Sequence, residues 1–188
     1  MHRIVFTGAQ GTGKTTVLKE FEKDGFNVIT EVVRQLNTKG VKINKDGDEK
    51  GQNKIFKTYK DLLSPYDANG YISDRCLVDV LAYTMHLADH GQVSKELVEK
   101  QFKQLMKFKS ENPDVIYCYF PIEFDVVDDG VRDMDEDYRK EIDTNIVNIL
   151  RRAGITPIVM RGSVEDRKEK VNLAINWVRV GVSLFDGV

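Results

Sequence analysis

The chain has 188 residues, 41% apolar and 31% charged, which suits one compact domain with a sizeable core and excludes an extended disordered chain. Its formal net charge of -2 gives no global attraction to nucleic acid or an anionic membrane, although a local basic groove would not show in that sum. No apolar stretch approaches the ~18 to 20 residues that span a bilayer, and no basic-then-apolar leader opens the chain, so the expectation is a cytoplasmic protein.

Elements follow in chain order as strand-like and helix-like runs that alternate, the order expected of an α/β sheet with crossover helices. "RIVFT" reads as a first buried strand, "GKTTVLKEFEKDG" as a helix stopped by Gly25, and "NVITE" as a second strand. Between Lys39 and Lys54, "KGVKINKDGDEKGQNK" is charged and nearly devoid of large apolar residues. It reads as a mobile surface loop, either a solvated insertion or a cover for substrate. "GYISDR" is a third strand, followed by the helical "CLVDVLAYTMHLADHG" and by a second helix that Ser94 caps. "DVIYCYFP" and "ITPIVMRG" are the fourth and fifth strands. Between them lies a helix with acidic residues at its start, basic ones at its end, and Ile142, Ile146 and Ile149 on its buried side. Ser163 opens a last helix. Cys76 and Cys118 sit in or beside apolar runs without metal-ligand spacing and read as buried reduced thiols.

The most specific signal lies between the first strand and the first helix. Gly8-Ala9-Gln10-Gly11-Thr12-Gly13-Lys14-Thr15 matches G-x-x-x-x-G-K-[ST] in full and in the required context. Gly8, Gly11 and Gly13 let the backbone turn its N–H groups, with that of Thr12, around phosphate oxygens, and the helix N-terminus reinforces the anion site. Lys14 brings a full charge to the β/γ-phosphates, Thr15 offers a hydroxyl to Mg²⁺, and Thr16 is an α-phosphate contact or helix filler. The stretch therefore calls for a nucleoside triphosphate, ATP or GTP, with Mg²⁺.

Ligands in such sheets gather at the carboxyl ends of the strands. Glu31 follows the second strand, with Arg34 about one helical turn on. Glu31 is placed to take a proton from an attacking hydroxyl and Arg34 to bind the acceptor; the plainer alternative is a helix N-terminal acid beside a solvated arginine. Asp74 and Arg75 end the third strand: Asp74 as a magnesium ligand or the base, Arg75 as a fork onto substrate or phosphate oxygens. Asp79 and Tyr83 extend that pocket or serve helix packing.

These residues resemble, over nearly the whole chain, the small P-loop kinases that include thymidylate kinase and the deoxynucleoside kinases. "TEVVRQL", "SDRCLVDVLAY", "DDGVRDMDEDYRKEID" and "RGSVEDR" are more similar still to the NadR-like AAA-type kinases, a group that includes ribosylnicotinamide kinase domains and many phage-encoded nucleotide kinases. The resemblance implies a P-loop NTPase, a three-layer αβα sandwich with a five-stranded parallel sheet, spanning residues 1–188 as a single kinase domain with a helical lid near 123–153. It implies lid arginines, Arg132 and Arg139, that swing onto the transferring phosphoryl group, and Arg161 or Arg167 beside the nucleotide base. It departs from thymidylate kinase, whose D-R-Y reads Asp74-Arg75-Cys76 here.

The activity these readings imply is ATP- and Mg-dependent phosphoryl transfer to a nucleoside or nucleotide-like acceptor, with Lys14, Glu31, Asp74, Arg132 and Arg139 as catalytic residues and Glu31, Arg34, Arg75 and Asp79 on the acceptor. Two alternatives stay open. One is a kinase for 5-hydroxymethyluracil in DNA, a chemistry of phages, which needs a strand-sized groove. The other is a nucleotide-dependent switch with slow hydrolysis, against which stands "YFPIEFDVVDDG" where a base-reading N-K-x-D loop belongs.

Overall fold

The apolar run of β1 (Arg3–Thr7) is buried along its whole length, because the two faces of this strand meet different helices. Ile4 and Phe6 pack with Val17, Leu18 and Phe21 of α1 (Lys14–Lys23) and with Val171 and Ile175 of α7 (Val164–Val180). Val5, pointing the other way, joins the larger core built on α3 (Glu49–Leu63), α4 (Leu77–Asp89), α5 (Lys95–Glu111) and α6 (Glu136–Arg152). These relations come from a computed structural model that describes residues 2–64, 70–123 and 135–180, with side chains as far as 176.

The remaining strands are β2 (Val28–Ile29), β3 (Tyr71–Ser73), β4 (Val115–Tyr119) and β5 (Ile158–Val159), and α2 (Val32–Thr38) follows β2. The five strands lie in the order β2-β3-β1-β4-β5, every neighbouring pair parallel. The expected three-layer sandwich is thus observed. Because all strands run the same way, the segments after β1, β2 and β3 emerge at one edge of the sheet, which brings the glycine loop, Glu31 and the Asp74-Arg75 pair together. At the opposite edge Arg3 pairs with Asp114 and donates to Asn112 Oδ1 at 2.8 Å.

Two expectations change, and part of a third lies outside the described residues. The charged stretch 39–54 is loop only as far as Asp48, with one 3₁₀ turn at Asn44–Asp46; from Glu49 it is the start of α3. Asp48 caps that helix by accepting from the Gly51 N–H at 2.8 Å, and Gly51 and Gln52 are buried despite the polar sequence. The second and fifth strands contract to two residues each. Of the lid, only α6 and its flanks are described: residues 124–134, and Arg132 with them, lie outside the described residues.

Candidate active site

Glycine backbone freedom sets up the phosphate loop. Gly11 and Gly13 have φ of 70° and 86°, the left-handed region that side chains disfavour, and Gly13 is the N-cap of α1. A Cβ on Gly13 would also come within 2.7 Å of Arg167 Nη1. Thr12 folds its hydroxyl onto the Ala9 carbonyl at 3.0 Å. Lys14 is only 5% exposed, and its ammonium donates to the carbonyls of Gly8 (2.7 Å) and Ala9 (2.6 Å) and to Thr12 Oγ1 (3.1 Å). Phosphate oxygens would have to replace those acceptors for Lys14 to serve a nucleotide.

Across the sheet edge, Thr15 donates its hydroxyl to Asp74 Oδ2 at 2.8 Å. The second oxygen, Asp74 Oδ1, is buried with no hydrogen-bond partner among the described residues. A hydroxyl beside a carboxylate that keeps one buried lone-pair face open fits an oxygen-seeking ion such as Mg²⁺. The two residues assigned to metal from sequence are therefore brought together.

Glu31 sits where β2 ends and α2 begins, at φ 60° and ψ 12°, a left-handed conformation costly for a glutamate. Its backbone carbonyl accepts the first helical bond from Gln35 at 2.9 Å. Its carboxylate pairs with Arg34 Nε at 3.0 Å, and both groups reach solvent. The expected acid and arginine are thus adjacent.

Asp79 has a deeper role than sequence suggested. It is fully buried, accepts from the Gly8 N–H (3.2 Å) and the Cys76 N–H (3.0 Å), and lies 3.9 Å from Arg75 Nη1. Burial raises its pKa, opposed by the charges of Arg75 and Lys14. Asp79 thereby ties the start of the phosphate loop to the cap of α4, so it lines the site with its carboxylate already engaged. Arg75 in turn donates to the Tyr83 hydroxyl at 3.4 Å, with its guanidinium 5.4 Å from that ring's centroid.

Two arginines clasp the phosphate loop from outside. Arg139, 1% exposed, donates Nε to the Gln10 carbonyl (2.9 Å) and Nη2 to that of Gly11 (3.3 Å), and pairs with Glu136 at 3.0 Å. Arg139 thus ties α6 to the phosphate loop while pairing within its own helix. Arg167 donates to the Thr12 carbonyl at 2.8 Å and to Glu123 at 2.7 Å, 5.5 Å above the Phe120 ring centroid. Arg161 also reaches Glu123, at 3.2 Å.

One cavity of about 600 Å³ joins these parts, running from Lys14, Thr15 and Thr16 to Glu31, Asp74 and Arg75. Its far wall comes from α3, through Gln52, Ile55 and Tyr59. Sequence reading missed these three, although Ile55, Phe56, Tyr59 and Leu63 carry a helical spacing that the adjoining charged stretch obscured. Gln52 is buried and held there by the Thr84 hydroxyl, which donates to its Oε1 at 3.1 Å.

A five-stranded parallel sheet with this loop after its central strand is an α/β P-loop NTPase fold. An AAA domain family model matches residues 3–167, and the chain belongs to that family. Similar solved structures include a NadR protein in complex with NR (TM-score 0.69, 18% identity, 100% of this chain and 54% of that one). A second is deoxyadenosine kinase from M. mycoides with bound dATP (TM-score 0.67, 16% identity, 94% and 100%). A third is the YorR protein from Bacillus subtilis in complex with phosphorylated GDP (TM-score 0.59, 16% identity, 94% and 97%). The chain spans about half the length of the NadR chain it matches, which is 54% covered. No curated protein matches the sequence significantly. Among the described residues, no helix is long and apolar enough to cross a membrane.

Proposed function

We propose that the chain, acting as a single kinase domain, transfers the γ-phosphoryl group of ATP, or of GTP, to a hydroxyl of a nucleoside. The observation that carries this reading is that one cavity is lined both by the phosphate loop and by Glu31. The nucleotides and nucleosides named with the similar structures agree with it.

Residues in this site favour a hydroxyl over a phosphate acceptor. A monophosphate needs cationic forks turned to it, whereas Arg75 is turned to Tyr83 and Asp79 and Arg34 meets Glu31 through Nε in an exposed pair. A hydroxyl needs a carboxylate that accepts its proton as the oxygen attacks, and Glu31 lines the cavity in reach of solvent. Lys14 neutralises charge on the β- and γ-phosphates, and the N–H groups of the glycine loop orient them for in-line attack. Arg139 would reach an equatorial oxygen only by giving up its bonds to the carbonyls of Gln10 and Gly11. Mg²⁺, when bound, would be held by Thr15 and Asp74 and would neutralise phosphate charge during transfer. Gln52 and Tyr59 offer polar edges, and Ile55 an apolar one, to the acceptor's base.

Release of ADP from ATP and Mg²⁺, followed with nucleosides and with the matching monophosphates, tests the proposal. Turnover that depends on a nucleoside supports it; turnover that depends only on monophosphates would reassign Arg34 and Arg75 as a phosphate clamp and remove the base role from Glu31.

A further inference from the structure

We propose a second, separate cation site for a borderline transition metal such as Zn²⁺ or Co²⁺, formed by His86, His90 and Glu141 on the seam between α4 and α6. Each residue offers one ligand atom, and the three atoms lie within 4.8 Å of one another.

Their orientation points to a shared centre. His86 and His90 are one helical turn apart, with ring centroids 4.2 Å apart and planes tilted by 38°. His90 Nδ1 lies 2.8 Å from the backbone carbonyl of His86. A carbonyl only accepts, so Nδ1 carries the proton and Nε2 keeps its lone pair, the tautomer that metal-bound histidines commonly adopt. His86 is buried, 6% exposed, and its Nδ1 stands 2.8 Å from Glu141 Oε1. The carboxylate nevertheless approaches off the N–H line, so this nitrogen has no hydrogen-bond partner among the described residues. A buried imidazole nitrogen and a carboxylate oxygen that converge without facing each other are placed to face an ion between them, given small rotations to reach bonds of about 2.0 to 2.2 Å.

Chemistry separates this site from the Thr15–Asp74 pair. Two imidazoles and one carboxylate suit zinc, cobalt or nickel, with water completing the shell, whereas Mg²⁺ prefers oxygen alone. Position gives the ion a consequence. Asp79 on α4 holds the Gly8 N–H, and Arg139 on α6 holds the Gln10 and Gly11 carbonyls. An ion joining α4 to α6 braces both supports of the phosphate loop from a site outside the cavity.

The test uses untagged full-length protein, stripped with a chelator, without nucleotide and in excess Mg²⁺. Co²⁺ is titrated and followed by its visible absorption, and Zn²⁺ by calorimetry. We expect one Co²⁺ per chain and a thermal midpoint raised by Zn²⁺. His90→Gln, at an exposed position, and Glu141→Gln should each weaken metal binding by at least about tenfold and abolish the thermal shift. Absence of stoichiometric Co²⁺ binding by the wild type, or equal binding by the folded variants, would overturn the site and leave a His86–Glu141 contact. Neither outcome decides whether the cavity carries out phosphoryl transfer, which is tested separately.

Discussion

Substituting Asp79 by Asn tests how the phosphate loop is supported. The carboxylate accepts two backbone N–H groups, from Gly8 and Cys76, and balances Arg75. An amide of the same shape keeps one acceptor oxygen and turns an NH₂ toward the other N–H, so one charge-assisted bond is lost and one buried donor is orphaned. Hydrogen bonds to charged groups contribute about 1.5 to 3 kcal/mol, and an orphaned buried donor costs about 1 to 3 kcal/mol. Breaking a buried ion pair costs about 3 to 5 kcal/mol, but the Arg75 side chain is 24% exposed and partly solvated, so only a fraction applies. Recovery of the desolvation that raises the Asp79 pKa offsets some of the loss. A net destabilisation of about 2 to 4 kcal/mol follows, which for a domain of this size lowers the thermal midpoint by roughly 4 to 16 °C. Calorimetry measures that shift, and nucleotide titration should show weakened ATP binding beside it. A midpoint within about 1 °C of wild type, with ATP affinity unchanged, would refute the claim that Asp79 supports the loop.

Other substitutions separate chemistry from stability. Lys14→Ala should abolish transfer and leave the circular dichroism of the fold intact; retained turnover would remove the nucleotide from this loop. Glu31→Gln should lower kcat by about 10² to 10⁴ with little change in ATP affinity, whereas a loss confined to ATP binding would move Glu31 away from the acceptor. Because Glu31 holds a left-handed backbone at φ 60°, Glu31→Gly should abolish transfer yet raise stability by about 0.5 to 1 kcal/mol; a lower midpoint would show that the conformation carries no strain. Hydrogen bonding from Arg3 holds the Asp114 carboxyl below its ordinary pKa. Its stabilisation is complete above the unfolded value, near 3.8, and is lost as pH falls through the lowered folded one. Asp114→Asn should therefore flatten the acid limb of an unfolding titration below pH ~4, and an unchanged limb would count against the Arg3 pair.

The sequence was most legible where a residue's type and its neighbours in the chain point the same way. The glycine loop could be read whole because its spacing, its preceding strand and its following helix are all local. Thr15 and Asp74 could be paired in advance, since a hydroxyl ending that loop and a carboxylate ending a strand converge in a parallel sheet. Asp79 could not be read the same way: its partner Gly8 lies 71 residues away, and a helical i, i+4 spacing with Tyr83 suggested a surface or pocket role. The bonds of Arg139 could not be read either: it pairs with Glu136 one turn before it, but its other bonds reach back 129 and 128 residues. The start of α3 was hidden for a different reason. Glu49, Lys50, Gly51 and Gln52 read as loop chemistry, and only the Asp48 cap and the burial of Gly51 and Gln52 against the rest of the fold make them helix.

The most direct test of the proposed activity is transfer of label from γ-labelled ATP with Mg²⁺ to a panel of acceptors. The panel comprises nucleosides, ribosylnicotinamide, nucleoside monophosphates, and DNA with and without 5-hydroxymethyluracil. Wild type is compared with Lys14→Ala and Glu31→Gln. The proposed transfer puts label on a hydroxyl of a free nucleoside-type acceptor, and both variants lose it. Label that appears only as free phosphate, with nucleotide held tightly, would contradict it and make the protein a nucleotide-dependent switch.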